Sequence, residues 1–159
     1  MSVQGHRPKA IRSTIISALN GQTITGDSLE ETLNQADDAF SPLIGSRECV
    51  KGAFVVLVDY RSMDTATTYS ASGTVQRMYG YNVRIQAAID IACRPELIST
   101  DLLVWSAAMI DLIDAALEPV TGSNLNVQSV TAPMPQRAPG GSLMIVEVIY
   151  TIRAFWSRS

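Results

Sequence analysis

The sequence predicts an α+β fold: a two-layer sandwich with a mainly antiparallel sheet of four to five strands and two main helices packed on one face. Three observations predict it. Residues 79–93, YGYNVRIQAAIDIAC, alternate with almost no error, the period of two that marks a half-buried strand. Residues 143–156 alternate as well, and 53–58, AFVVLV, form a continuous apolar run. Two other segments repeat apolar residues at three-and-four spacing, the stripe of a core-facing helix.

The first helix runs from Ala10 to Leu19, with Ile11, Ile15, Ile16 and Leu19 on one side and Asn20-Gly21 as its stop. Pro8 fits a first turn, and Arg7, Lys9 and Arg12 make that end basic, opposite to what the helix dipole favours. Residues 27–40, DSLEETLNQADDAF, read as a short, mostly solvated second helix capped by Asp27 or Ser28, with Leu29, Leu33 and Ala36 on one side and five acids elsewhere. The 53–58 run lies between Gly52 and Asp59 and reads as a strand covered on both faces. Residues 60–78 are small and polar, with Ser72-Gly73 as a turn signal, and read as a projecting hairpin or a loop.

In the long strand, Tyr79, Tyr81, Val83, Ile85, Ala87, Ile89, Ile91 and Cys93 take one face. Gly80, Asn82, Arg84, Gln86, Ala88, Asp90 and Ala92 take the other. Its fifteen residues would reach about 50 Å, several times the usual strand. Such a strand outreaches the body of a small domain, which points to assembly. Ser99-Thr100-Asp101 reads as the cap of the second strong helix, which runs to about Glu118 before Pro119. Its stripe is Leu102, Trp105, Met109, Leu112, Ile113 and Ala116.

A short strand follows at Leu125–Val127, with Asn124, Asn126 and Gln128 expected to face water. The last strand, Leu143 to Trp156, has one apolar face and a mixed one that includes Glu147 and Arg153. Between these strands TAPMPQRAPGGS, with three prolines and paired glycines, reads as a long loop at about 132–142 that cannot pair as a ladder.

The 159 residues suit one domain, 1–159, with projecting loops at about 60–78 and 132–142. Charged residues are 17% and hydrophobic residues 47%, less charge than a typical soluble domain carries. That balance suggests surface covered by other subunits, or a neutral surface of Ser, Thr, Asn and Gln. A net charge of −3 and only two lysines, Lys9 and Lys51, argue against a dedicated nucleic-acid binder. Cys49 and Cys93 are too isolated for a disulfide framework or a zinc site, and Cys93 is in phase with the apolar face, as a buried thiol would be. With neither a signal-like start nor an apolar run long enough to span a bilayer, the expectation is a soluble, cytoplasmically made protein.

Catalytic signals are weak. His6 is the single histidine and has no nucleophile motif beside it. Asp111, Asp114 and Glu118 share a helix face, but one turned away from the apolar stripe, so they read as a solvated or subunit-facing side. Asp59 and Asp64 read as turn aspartates after a strand. Arg84, Asp90 and Arg94 lie on the polar side of the long strand, and Arg77 and Arg137 lie in the two long loops, where partners are read. With Arg153 on the mixed face of the last strand, these six are the candidate interface residues.

The order of elements resembles a known family. An amphipathic N-terminal helix is followed by FVVLVDYR, then YGYNVRIQAAIDI, then a helix beginning STDLLVWSAAMIDLIDAAL, and the chain closes with GGSLMIVEVIYTIRAF. This is similar to the tail terminator, or tail completion, proteins of long-tailed bacteriophages, over roughly residues 7–157. The resemblance implies an α/β sandwich that assembles into a hexameric ring. The ring caps the tail tube, ends its polymerisation and offers a docking surface to the head connector. Implied partners are further copies of the chain, the tail tube protein, a head–tail connector or stopper protein and, as a further option, the tail sheath. It implies no cofactor, no catalytic residue and a place in the virion. The stretch from Asp59 to Arg77 is longer than a minimal member needs.

For a closed ring each subunit needs two different complementary surfaces, and the polar side around Arg84 and the mixed last strand are expected to supply part of them. Other readings are a head-completion or tail tube protein, a bacterial scaffolding domain, or a small α+β enzyme or ligand-binding domain. The last would need polar groups aimed into a pocket between sheet and helices, for which Glu147, Tyr150 and Trp105 are the candidates.

Overall fold

A computed structural model describes residues 7–25, 30–37, 41–45, 50–69, 75–90, 98–118, 125–131, 136–137 and 143–158. The fold is α+β, with a mostly antiparallel sheet, as the alternation of its strands predicts. Helix α1 spans Arg7–Leu19, with Pro8 in its first turn. It buries Ile11, Ile15 and Leu19. Asn20 N–H still bonds the Ile16 carbonyl, and Gly21 then turns the chain with a positive φ of 79°, a conformation that glycine adopts without steric penalty.

Residues 27–40 do not form the expected second helix where they are described. Strand β1 (Thr23–Thr25) pairs antiparallel with β2 (Glu30–Thr32), and β3 (Asn34–Gln35) joins the main sheet. The reason lies in where two apolar residues go. Leu33 plugs the core on the helix side of the sheet, while Ala36 packs with Leu43 and Ile44 on the opposite side. A helix would have put both on one face.

The main sheet is built from three long strands: β4 (Ala53–Tyr69), β5 (Val75–Asp90) and β8 (Leu143–Arg158). Strand order is β3-β4-β5-β8-β6, with β6 (Leu125–Thr131) on one edge. The two-residue strand β7 (Gln136–Arg137) also pairs with β8. Since β5 pairs with β8 along its whole length, β7 must lie on the β6 side. Among the described strands only β3 runs parallel to its neighbour.

The stretch 60–78 is a hairpin within its described residues, because β4 and β5 pair from Phe54↔Ala87 out to Tyr69↔Val75. Register slips between Tyr60 and Ser62 and between Asp64 and Thr68 insert extra residues on β4, as bulges do. Asp59 and Asp64 are therefore strand residues and not turn residues. The 132–142 stretch also departs from expectation. Gln136 and Arg137 pair with Ile145 and Met144, because they form a proline-free step whose amides can reach β8.

Helix α2 spans Ile98–Leu117. Ser99, Thr100 and Asp101 therefore lie within its first turn and do not precede it as a cap. Its buried stripe is Trp105, Met109, Ile113 and Leu117, a strict four-residue repeat; Leu112 is only partly buried. Both helices cover one face of the sheet, with α1 against β4 and α2 against β8. Beneath them lie Phe54, Val56, Val83, Ile85, Val146, Val148, Tyr150 and Ile152.

The other face is not uniformly polar. Gln86 and Ala88 are fully buried, and Val55, Leu57, Ala88 and Ile145 form a second small core under Leu43. Ile91, Cys93, Asn124 and the start of the chain through His6 lie outside the described residues, as does Arg94.

Candidate assembly interface

Tyr81, Val83, Ile85, Ala87 and Ile89 on β5 and Met144, Val146, Val148, Tyr150 and Ile152 on β8 are buried beneath the helices. Pairing continues well past them, through Met78↔Phe155 and Gln76↔Ser157 to Val75↔Arg158, with β4 alongside as far as Tyr69. The sheet thus carries on as a three-stranded ribbon. At about 3.3 Å per residue the sixteen residues of β5 span roughly 53 Å.

Five of the six candidate residues sit at different stations on this sheet, and the sixth, Arg94, lies outside the described residues. Arg84 is central on β5, opposite Leu57 on β4 and Ile149 on β8. Asp59 stands opposite Asn82, so it is diagonal to Arg84, a separation long side chains bridge. Their charged ends lie 3.5 Å apart. Arg77 is in the ribbon opposite Trp156, and Asp90 closes β5 opposite Leu143. Arg137 is in β7 opposite Met144. Arg153 lies exposed on β8 between Gly80 and Asn126. Arg84 finds a partner outside the candidate set, Asp59.

The inward polar groups do not converge. Tyr150 and Trp105 are fully buried on the helix side. The Tyr150 hydroxyl donates to Asp114 at 3.0 Å, with the Ile110 carbonyl at 3.3 Å. Burial, reinforced by the hydrogen bond to Asp114 and by the charges of Asp114 and Asp111, pushes its ionisation well above the ordinary value near 10. Trp105 Nε1 has no partner among the described residues. Glu147 lies on the opposite face, where its carboxylate accepts from the Gln86 amide at 2.5 Å. Gln86 Oε1 in turn accepts from the Leu43 amide at 2.8 Å. These groups fasten pieces of the fold and do not line a common pocket.

The sheet has two dissimilar long edges. On the β4 edge, β3 pairs only with Ala53 and Phe54, and Arg12 Nε donates to the Val56 carbonyl at 3.0 Å. Beyond that point no strand among the described residues pairs with the outer side of β4. Here a groove of about 410 Å³ lies between α1 and β4, lined by Pro8, Lys9, Arg12, Leu57, Val58 and Asp59. On the opposite edge, a shallower groove of about 520 Å³ lies between α2 and β6, lined by Asp114, Ala115, Leu117, Glu118, Val127 and Val130. Sequence reasoning named the basic start of α1 and the acidic face of α2. It could not place them on opposite edges, because that depends on strand order.

No described helix is long and apolar enough to cross a membrane. Among the described residues no group of three or more His, Cys, Asp or Glu is arranged to hold a metal ion. No protein-family model matches the chain, and no curated protein matches it at a significant level.

Proposed function

We propose that this chain is a ring-forming structural protein of a bacteriophage tail, a tail terminator that caps the tube and docks the head connector. The observation that carries the reading is the ribbon of β4, β5 and β8, whose strands of seventeen, sixteen and sixteen residues stay paired out to Tyr69, Val75 and Arg158, about three times the usual strand length. Strands of that length exceed what a small domain usually builds into its core, whereas a subunit that must span a ring wall or reach a neighbour uses them. Edge strands left open on a monomer are an aggregation hazard that assembly removes. The element order that resembles tail terminators agrees with this reading, and so does the low fraction of charged residues.

The test is the absolute mass in solution by light scattering, with negative-stain images of the same peak. A ring of about 103 kDa, six times the 17.2 kDa chain, is the expected result, since closed cyclic assemblies have defined copy numbers. A monomer that forms no ring even when mixed with assembled tail tubes would overturn the proposal. The same grid separates a terminator from a tube subunit: a terminator sits at tube ends, and a tube subunit makes the tube.

A further inference from the structure

We infer that neighbouring copies join edge to edge, with the basic β4 edge of one copy docking on the acidic α2–β6 edge of the next. This inference rests on the ring reading and names the two surfaces that close the ring.

Three observations lead there. First, β4, beyond its short pairing with β3, and β6 form the opposite edges of a single sheet. Outward of Phe54 on β4, where Arg12 takes the Val56 carbonyl, and along the outer side of β6, no described strand completes the hydrogen bonding. Backbone donors and acceptors on a sheet edge are a ready template for another strand.

Second, the two edges carry opposite charge. The β4 groove presents Lys9 and Arg12; Asp59, also in its lining, is offset by Arg84 at 3.5 Å. The β6 groove presents Asp114 and Glu118, and the exposed Asp111 sits one turn earlier on α2. Both grooves also hold apolar residues, Leu57 and Val58 on one and Val127 and Val130 on the other.

Third, charge decides the mode of pairing. A two-fold contact of β4 against β4 would set Lys9 and Arg12 against themselves, and β6 against β6 would oppose acid to acid. Like charges brought together disfavour both. The remaining contact, β4 on β6, uses two different surfaces, so it repeats head to tail and generates a ring or a filament and not a dimer.

The experiment is a charge swap read by sedimentation and light scattering. Lys9 is exposed on α1 and Glu118 is exposed just past the last residue of α2, so Lys9→Glu and Glu118→Lys are expected to fold, which far-UV circular dichroism checks. Each single reversal is expected to raise the subunit dissociation constant about tenfold or more. The double variant, Lys9→Glu with Glu118→Lys, restores opposite charges between these two positions and is expected to assemble better than either single variant. Higher salt should weaken the wild-type ring and leave the neutral pair Lys9→Met with Glu118→Gln less affected. That neutral pair also serves if a reversal fails to fold. A wild-type ring indifferent to both reversals overturns the edge contact and leaves the ring reading standing. So does a double variant no better than the singles. A wild type that never oligomerises overturns the ring reading itself, and the edge contact with it.

Discussion

The side chain of Gln86 holds the backbone of Leu43. Its Oε1 lies 2.8 Å from the Leu43 amide and 3.4 Å from that of Ile44, while its Nε2 donates to Glu147. Gln86 is fully buried in the middle of β5. Each half of its amide is matched, as a buried amide must be. It therefore acts as a clamp that fastens the 41–45 segment over Val55, Leu57 and Ala88 on the face of the sheet away from the helices.

Replacing Gln86 by Leu removes the clamp but fills its space. The Leu43 amide and the Glu147 carboxylate would then lack partners, at a cost of about 2–4 kcal/mol. Urea unfolding reads the loss, and hydrogen exchange should show the Leu43 amide opening ahead of the strands. A loss well below about 1 kcal/mol with unchanged exchange at Leu43 would refute the clamp.

Glycine 52 carries a second, backbone requirement. Its φ is +78°, and a Cβ there would collide with the Thr32 carbonyl oxygen. Its N–H bonds the Ala88 carbonyl and its own carbonyl accepts from Asn34, so it cannot move aside without breaking both bonds. Gly21 has the same sign of φ, at +79°, but open space around the Cβ position. Gly21→Ala should cost about 1–2 kcal/mol from the left-handed backbone alone. Gly52→Ala should cost clearly more, on the order of 3 kcal/mol. Equal losses in the two variants would show that the collision with Thr32 is relieved by a small shift.

The contrast between strands and connections explains what could be read from the sequence. β5 and β8 follow from alternation alone, because one face is buried along most of each strand and period two then leaves no ambiguity. The apolar stripes of α1 and α2 are legible for the same reason. Residues 30–36 mislead because Leu33 and Ala36, one helical turn apart, serve cores on opposite sides of the sheet. Gln86 looks solvated on the polar side of β5 until the 41–45 segment is seen to cover it. The Arg84–Asp59 pair was out of reach in a different way. The sequence shows that Arg84 and Asp90 are too far apart to pair within a strand, but a cross-strand partner depends on the β4–β5 register.

Tyr150 links the sheet to α2 through Asp114. Because Asp114 is exposed and can be rehydrated, Tyr150→Phe should cost only about 1 kcal/mol at neutral pH. The variant should differ more in alkali. The folded-state pKa of Tyr150 lies above its unfolded value near 10, chiefly because of burial. Below pH 10 its contribution is present in full. Above it the unfolded chain releases the phenolic proton and the folded chain retains it, so stability falls as pH rises. Wild type should lose about 1.4 kcal/mol per pH unit more than Tyr150→Phe between roughly pH 10.5 and 11.5. Parallel stability curves for the two proteins in that window would show that the phenol titrates normally in the folded state.

Arg84 joins the interior of the sheet to its proposed contact edge. Its pairing with Asp59 is partly exposed on both sides, and such pairs contribute less than about 1 kcal/mol to folding. Arg84→Glu should therefore leave the unfolding midpoint nearly unchanged. Its effect on assembly should be larger, because it leaves Asp59 uncompensated and adds a second negative charge beside the groove that presents Lys9 and Arg12. That edge would then meet the acidic face of the next copy with its own charge cancelled, and the ring should dissociate at lower protein dilution than wild type. Asp59→Asn acts in the opposite direction by making the same edge more basic, so it should tighten the ring. Sedimentation of the three proteins across a dilution series reads both effects. If Arg84→Glu and Asp59→Asn shift assembly in the same direction, charge at the β4 edge is not what selects the neighbour.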